Sequence, residues 1–181
     1  MHKIVKLGII LGFCLNSCFT VFAQDNETAT YLEETELSSD TLSDTGSEDE
    51  TADTAINYAV SKLGYPYSMS RRHSGKAFDC SSLVYYSYQE AGIDLSYQGM
   101  TTAAAIGNKL VHEGKEVSAE GIEPGDLIFY SYERNGRYHN ISHVAMYIGD
   151  GKQIEASYGK QEVAIRDLSF DDAVNICRPV S

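Results

Sequence analysis

The chain has 181 residues, 43% of them apolar, and a formal net charge of −12 at neutral pH. This length and apolar content allow one domain with its own hydrophobic core and exclude a wholly disordered chain. The negative charge argues against nucleic-acid binding, which requires a basic face to neutralise phosphates. The charge is uneven along the chain and divides it into three zones.

Residues 1–23 have the composition of a secretory signal peptide. Two lysines precede an apolar run that ends at Phe22, and the small Ala23 suits the position before a cleavage site. The run is too short and too interrupted for a membrane span. We predict cleavage after Ala23 and export of the protein. Two alternatives stay open: a lipobox-like segment at 15–18 with a lipid on Cys18, and an apolar helix retained in the fold.

Residues 24–53 form an acidic zone. Eleven acids and no lysine or arginine lie between residues 25 and 53, and few large apolar residues accompany them. Such a segment cannot bury enough apolar surface to offset the entropy of ordering it. We predict a disordered acidic spacer, with a partner-binding site as the alternative.

Residues 54–181 carry the signals of a folded domain. Three helical patterns come first: one from Ala55 to Leu63, one opening at Asp79 and closing at Gly92, and one starting near residue 101 or 102. Short apolar segments between turn residues then predict about five strands. This order predicts the α+β class, with helices packed on a mostly antiparallel sheet. The predicted strands are residues 127–130, 144–148, 154–156, 163–165 and 174–177.

Two cysteines, Cys80 and Cys177, lie in this third zone. A disulfide is the simplest interpretation for an exported protein, but their positions favour two free thiols. Cys177 falls in an apolar strand pattern, which suits a buried thiol. Cys80 follows Asp79 at a helix N-terminus, where free N–H groups and the helix dipole favour the thiolate. We predict that Cys80 is a nucleophile.

His143 is the histidine best placed to act as the base. It opens the strand pattern at 144–148, where a rigid element can aim its ring. The other three histidines of this zone lie in polar loops or near a helix end, and we expect them at the surface: His73, His112 and His139.

The hairpin after His143 supplies a third group, Glu155. A turn signal lies at 149–151. A three-residue loop would pair Ile148 with Lys152. In that register His143 and Glu155 are diagonal neighbours on one face, and Glu155 can accept a hydrogen bond from the ring. A two-residue loop would place them on opposite faces and leave Glu155 an ordinary strand acid.

The zone contains no C-x-x-C pair, no H-E-x-x-H motif and no phosphate-binding glycine loop. We therefore expect no metal and no cofactor, and we expect a monomer.

Five segments of this zone resemble, in order, the motifs of the NlpC-type cysteine peptidases, bacterial enzymes that cut the peptide stems of peptidoglycan. Each motif is weak alone, but together they are specific, and they cover residues 55 to about 178. The segments are G-Y-P-Y at 64–67, F-D-C-S-S-L-V-Y at 78–85, P-G-D-L-I-F at 124–129, S-H-V-A-M-Y-I-G-D-G at 142–151 and I-E-A at 154–156.

The resemblance implies a papain-like fold, with the nucleophile on a helix packed against a five-stranded sheet. It implies Cys80 as nucleophile, His143 as base and Glu155 as the third polar residue. The usual bond cut by such enzymes joins the γ-carboxyl of D-glutamate to a diamino acid. The resemblance also implies three residues that bind the stem peptide: Tyr67, Asp79 and Ser81.

Three departures from the family pattern stand out. The third position is usually His, Asn or Gln, so Glu155 is less common. A Gly-Gly pair is missing from residues 68–73, and residues 95–98 lack the arginine that many relatives carry before the third helix. We predict an exported cysteine endopeptidase of peptidoglycan stems. The alternatives are another thiol acyl-transfer enzyme, such as an amidase, transpeptidase or interbacterial toxin, and a catalytically silent wall-binding module.

Overall fold

A computed structural model describes residues 45–180, with the backbone alone for residues 45–47. The predicted signal peptide, the lipid site at Cys18 and most of the predicted spacer lie outside these residues. Three helices come first in the described part, as the sequence predicts. They are α1 (Thr45–Val60), α2 (Cys80–Glu90) and α3 (Ala103–His112).

A five-stranded antiparallel sheet follows, in the order β4-β3-β2-β1-β5. The α+β class and all five predicted strands are confirmed. The strands are β1 (Leu127–Tyr130), β2 (His143–Gly149), β3 (Lys152–Ser157), β4 (Glu162–Asp167) and β5 (Ala173–Cys177).

The predicted end of the acidic spacer at residue 53 is wrong. Helix α1 begins at Thr45, so residues 45–53 are helical. An acidic side chain in its first turn, Glu48, suits the positive end of the helix dipole. Ala52 also packs against Gly125, whose φ is +98° and where an added Cβ would lie 2.9 Å from the Ala52 Cβ. Packing of α1 against the rest of the domain therefore orders residues 45–53 as a helix despite their acidic composition.

One face of the sheet carries the helices and the main core. Helix α3 approaches this face closely at Gly107, where an added Cβ would lie 2.7 Å from Ile141 Cδ1. The opposite face has a smaller apolar cluster beside polar side chains. The sheet residues of the main core are Leu127, Phe129, Val144, Met146, Ile154, Ala156, Val163 and Cys177, and those of the smaller cluster are Ile128, Tyr130, Ala145 and Ile176.

The β2–β3 hairpin combines the two loop lengths weighed from the sequence. Its turn has two residues, Asp150 and Gly151, both with positive φ, so the predicted pairing of Ile148 with Lys152 is wrong. The ladder shifts by one residue between Tyr147 and Gly149. This bulge restores the register expected from a three-residue loop, with Met146 opposite Ile154. The longer part of the hairpin therefore keeps the predicted faces.

No helix within residues 45–180 is long and apolar enough to span a membrane.

Candidate active site

Cys80 is the first residue of α2, and Asp79 caps that helix. Asp79 Oδ1 accepts a hydrogen bond from the Ser82 N–H at 2.7 Å, while Ser82 Oγ accepts one from the Asp79 N–H at 2.9 Å. This reciprocal capping box fixes the first turn. The Cys80 thiol, in a residue only 8% exposed, therefore lies at the positive end of the helix dipole.

His143 and Glu155 form the hydrogen bond that the sequence predicts. His143 Nε2 donates to Glu155 Oε2 at 2.9 Å, and the Glu155 side chain is 2% exposed. The carboxylate can only accept, so Nε2 carries the proton. The ring also interacts with Cys80. Since Nε2 is engaged by Glu155, Nδ1 is the nitrogen left for the thiol.

Charge interactions shift the pKa values of this pair in opposite directions. Burial disfavours the His143 imidazolium, but hydrogen bonding and charge interactions with Cys80 and Glu155 outweigh it and raise the pKa of His143 to about 9. Burial also disfavours the Glu155 carboxylate, but His143 and then Arg166 lower the pKa of Glu155 to about 2. At neutral pH the ring is an imidazolium and Glu155 is ionised.

Arg166, a residue that sequence reasoning missed, holds the second oxygen of Glu155. Its Nη1 lies 3.0 Å from Glu155 Oε1. Gln153 also contributes, because its Oε1 accepts a hydrogen bond from Tyr130 at 2.8 Å and its amide lies 3.5 Å from Glu155 Oε2. The sequence predicts a strand around residue 165 but not its pairing. The β3–β4 register places Arg166 opposite Gln153.

Two tyrosines pack against the His143 ring. The Tyr132 ring stacks on it, with centroids 5.9 Å apart and an interplanar angle of 29°. The Tyr130 ring lies 5.7 Å from it and stacks in turn on Tyr132. Tyr132 is 58% exposed, so it forms an outer aromatic wall beside the imidazole.

Tyr67 lies on the cysteine side of the site. Burial and then the charges of Cys80 and Asp79 raise its pKa to about 12, so the phenol stays neutral and can donate a hydrogen bond. The Tyr67 ring meets the Tyr158 ring edge-on at 5.5 Å. Tyr158 is 73% exposed, so the two rings form a second aromatic edge near the thiol.

Asp79 and Ser81, both predicted to bind substrate, contact each other and Arg72. Ser81 Oγ donates to Asp79 Oδ1 at 3.2 Å, and Arg72 Nε lies 3.1 Å from Asp79 Oδ2. Arg72 Nη2 donates to Ser81 Oγ at 3.1 Å and to the Thr101 carbonyl at 2.7 Å. Residues 95–98 contain no arginine, but Arg72, from the loop at 68–73, brings a guanidinium to the segment just before α3.

The remaining cysteine and histidines lie apart from this cluster. Cys80 and Cys177 are both free thiols, so they form no disulfide. Cys177 is fully buried, as predicted. The three other histidines of the domain are exposed, as predicted: His73, His112 and His139. Within residues 45–180 no group of three potential ligands could hold a metal ion.

This arrangement can perform nucleophilic chemistry. A buried thiol at a helix N-terminus lies beside an imidazolium, which donates a hydrogen bond to a carboxylate, and an arginine pairs with the other oxygen of that carboxylate. Such a pair supports covalent catalysis of acyl transfer, in which the sulfur attacks a carbonyl carbon and the imidazolium donates the proton to the leaving group.

Comparison with known proteins agrees with this class. The profile of the NlpC/P60 family matches residues 64–173, and the chain belongs to that family. The resemblance identified from the motifs is therefore confirmed. A solved structure, an NlpC/P60 family protein from Bacillus cereus, superposes with a TM-score of 0.58 at 28% identity, over 72% of this chain and 40% of that one. The papain-like fold is confirmed as well.

Two curated relatives have more specific names. The chain is 31% identical over 119 residues to murein DD-endopeptidase MepH of Escherichia coli, and this match covers 65% of this chain and 40% of that protein. It is 34% identical over 118 residues to the γ-D-glutamyl-L-lysine dipeptidyl-peptidase of Bacillus cereus, over 65% of this chain and 32% of that protein. The match spans between 14% and 40% of the length of the curated relatives.

Proposed function

We propose that the protein is a cysteine endopeptidase that hydrolyses the peptide stems of peptidoglycan. The observation that carries the proposal is the chain of contacts from the Cys80 thiol through the His143 ring to the buried Glu155 carboxylate. Membership of the NlpC/P60 family and the names of the two relatives support the same reaction class.

Cys80 is the nucleophile in this proposal. The His143 imidazolium stabilises the Cys80 thiolate, whose sulfur attacks the amide carbon to give a tetrahedral intermediate. Backbone N–H groups at the start of α2, including that of Cys80, stabilise its oxyanion. His143 then protonates the leaving amine, the C–N bond breaks, and a thioester remains on Cys80.

Hydrolysis of the thioester completes the cycle. His143, now neutral, takes a proton from water, and the resulting hydroxide attacks the thioester carbon. The C–S bond breaks, the carboxylic acid product leaves and loses its proton to solvent, and the thiolate–imidazolium pair is restored. Glu155 keeps the ring in one orientation throughout and keeps the proton on Nε2, so that only Nδ1 gains and loses a proton.

The substrate bond in this proposal joins the γ-carboxyl of D-glutamate to a diamino acid. The name of the Bacillus cereus relative supports this choice, whereas MepH is named for a DD bond. Tyr67, Asp79 and Ser81 bind the stem peptide beside the scissile bond. Their support is that Asp79 and Ser81 flank Cys80 and that the Tyr67 phenol interacts with Cys80.

Digestion of purified peptidoglycan tests the proposal. The protein is incubated with wall from the source organism, and the new amino and carboxyl ends are identified by mass spectrometry. We expect new diamino acid amines with the parent and none with Cys80→Ser. New ends at D-alanine would indicate cleavage of a different stem bond. Separation of the whole stem peptide from the glycan would indicate an amidase, and an unchanged wall would contradict the proposal.

We also propose that the protein is exported and acts as a monomer. The support for export is the signal-like composition of residues 1–23 and the murein in the name of the Escherichia coli relative. Mass spectrometry of the mature protein should give an N-terminus at Gln24. A mass that fits a diacylated chain starting at Cys18 would contradict cleavage after Ala23 and support the lipid anchor.

A further inference from the structure

Glu155 poses an electrostatic problem, because its side chain is only 2% exposed yet ionised. A carboxylate that is removed from water loses its hydration, and charged partners must replace it if the group is to stay ionised. His143 supplies a partner for one oxygen only, at 2.9 Å from Oε2. When His143 becomes neutral during the reaction, the other oxygen needs a cation that does not titrate.

Arg166 meets that requirement. It lies on β4 opposite Gln153, which makes it the diagonal neighbour of Glu155 on the same sheet face. Its Nη1 donates to Glu155 Oε1 at 3.0 Å, so each carboxylate oxygen has its own cationic partner. The Arg166 side chain is 51% exposed, so its charge stays hydrated and loses little solvation free energy in this contact.

We propose that Arg166 is a positioning residue that acts on His143 and Cys80 through Glu155. Its guanidinium keeps the Glu155 carboxylate ionised and fixed in rotation, so that Oε2 stays directed at His143 Nε2. A neutral Asn, Gln or His side chain at this position would need no counter-charge. The charge of Arg166 allows a buried glutamate to take their place. This inference rests on the proposed function, because it assigns a role within the Cys80 site.

The groups around the ring fix the expected direction of the electrostatic effect. Cys80 approaches from α2, Glu155 from β3 and Arg166 from β4. Without the guanidinium the Glu155 carboxylate is free to rotate away from Nε2 and is easier to protonate, so it stabilises the imidazolium less and the pKa of His143 falls. The neighbouring groups that remain unchanged are Tyr130, Tyr132 and Asp172.

The variant Arg166→Gln tests the proposal, with Lys152→Gln as the matched control. Lys152 is also a sheet cation, but it pairs with Asp167 at the surface, 2.5 Å away, and does not contact Glu155. We expect kcat of Arg166→Gln to fall about 10-fold with KM unchanged, the lower end for loss of a supporting partner. Lys152→Gln stays within about 2-fold of the parent, since exposed pairs contribute little.

Two further variants separate positioning from a general effect on the fold. Arg166→Lys retains a cation and a donor for Oε1, so it should recover to within about 3-fold of the parent kcat. In the Glu155→Gln background, Arg166→Gln should change kcat by less than about 2-fold, because the charge it compensates is gone. Full additivity of the two changes would contradict the proposal.

A titration of the His143 ring by NMR needs no substrate and keeps the two proposals distinguishable. We expect the pKa of His143 to be lower in Arg166→Gln than in the parent and unchanged in Lys152→Gln. If the parent fails to cleave peptidoglycan but this shift appears, the proposed function fails and the role of Arg166 stands. If the parent cleaves peptidoglycan and Arg166→Gln matches it in both kcat and the pKa of His143, Arg166 does not have the proposed positioning role.

Discussion

The described part of the chain holds two buried thiols with opposite surroundings. Cys80 begins a helix and interacts with the His143 imidazolium. Cys177 ends β5, and burial together with the charges of Glu116 and Asp126 raises its pKa to about 12. One thiol therefore has a positive environment, and the other has an apolar and negative one.

The comparison shows that burial alone does not decide whether a cysteine can react. Both thiols are removed from water, with exposures of 8% for Cys80 and 0% for Cys177. The sign of the nearby charge differs, and the thiolate is stabilised only where that charge is positive.

Replacement of the two thiols should have very different consequences. Cys80→Ser should lower wall hydrolysis on the order of 10³-fold or more, because an alcohol beside His143 is not ionised. Cys177→Ser should leave the rate within about 2-fold and lower the free energy of unfolding by about 1–3 kcal/mol, the cost of a buried unpaired hydroxyl. Turnover assays and thermal melts measure both. Equal loss of activity in the two variants would contradict the contrast.

Substitutions of Glu155 should have intermediate effects. Glu155→Ala frees the His143 ring to rotate and removes the charge, so the rate should fall about 10–100-fold. Glu155→Gln can still hydrogen-bond the ring and should cost less, although it leaves Arg166 without an anionic partner. Rates across the pH range measure both effects. A Glu155→Ala enzyme with the parent rate and pH profile would make this residue an ordinary strand acid.

The smallest expected effect is on stability as a function of pH. The pKa of His143 is raised from 6.5 to about 9, so its contribution is complete below pH 6.5 and is lost as the pH rises towards 9. The pKa of Glu155 is lowered from 4.5 to about 2, so its contribution is complete above pH 4.5 and is lost as the pH falls towards 2. The pair therefore stabilises the fold most between these limits.

Urea unfolding of the parent and of Glu155→Gln measures this window. The difference in their free energies of unfolding should be largest near pH 5.5 and smaller at about pH 3 and 9.5. A difference that stays constant over this range would show that the pair contributes to packing only and not through its charges.

Much of the fold was readable from the sequence because it follows from local patterns. The cap at Asp79 and the alternation of apolar residues fix α2 and the five strands. The start of α1 was not readable, because the contact of Ala52 with Gly125 is made only in the folded domain. The acidic composition of residues 45–53 therefore indicated a spacer where the structure has a helix.

The site was predictable where neighbouring strands supply it and not where a distant segment does. The hairpin register brought His143 and Glu155 together, although a bulge and a two-residue turn replace the simple loop. Arg166 depends on a further strand pairing, and Arg72 reaches Asp79 from an irregular loop. No periodicity in the sequence encodes such contacts between segments.

Alkylation of the two thiols in one sample compares their reactivity directly. The folded protein is treated with iodoacetamide at several pH values, and the modified peptides are quantified by mass spectrometry. Cys80 should be alkylated at least about 100-fold faster than Cys177, because the His143 imidazolium lies beside its sulfur, whereas burial and nearby negative charge raise the pKa of the Cys177 thiol. Equal rates for the two thiols would contradict the assignment of Cys80 as the nucleophile.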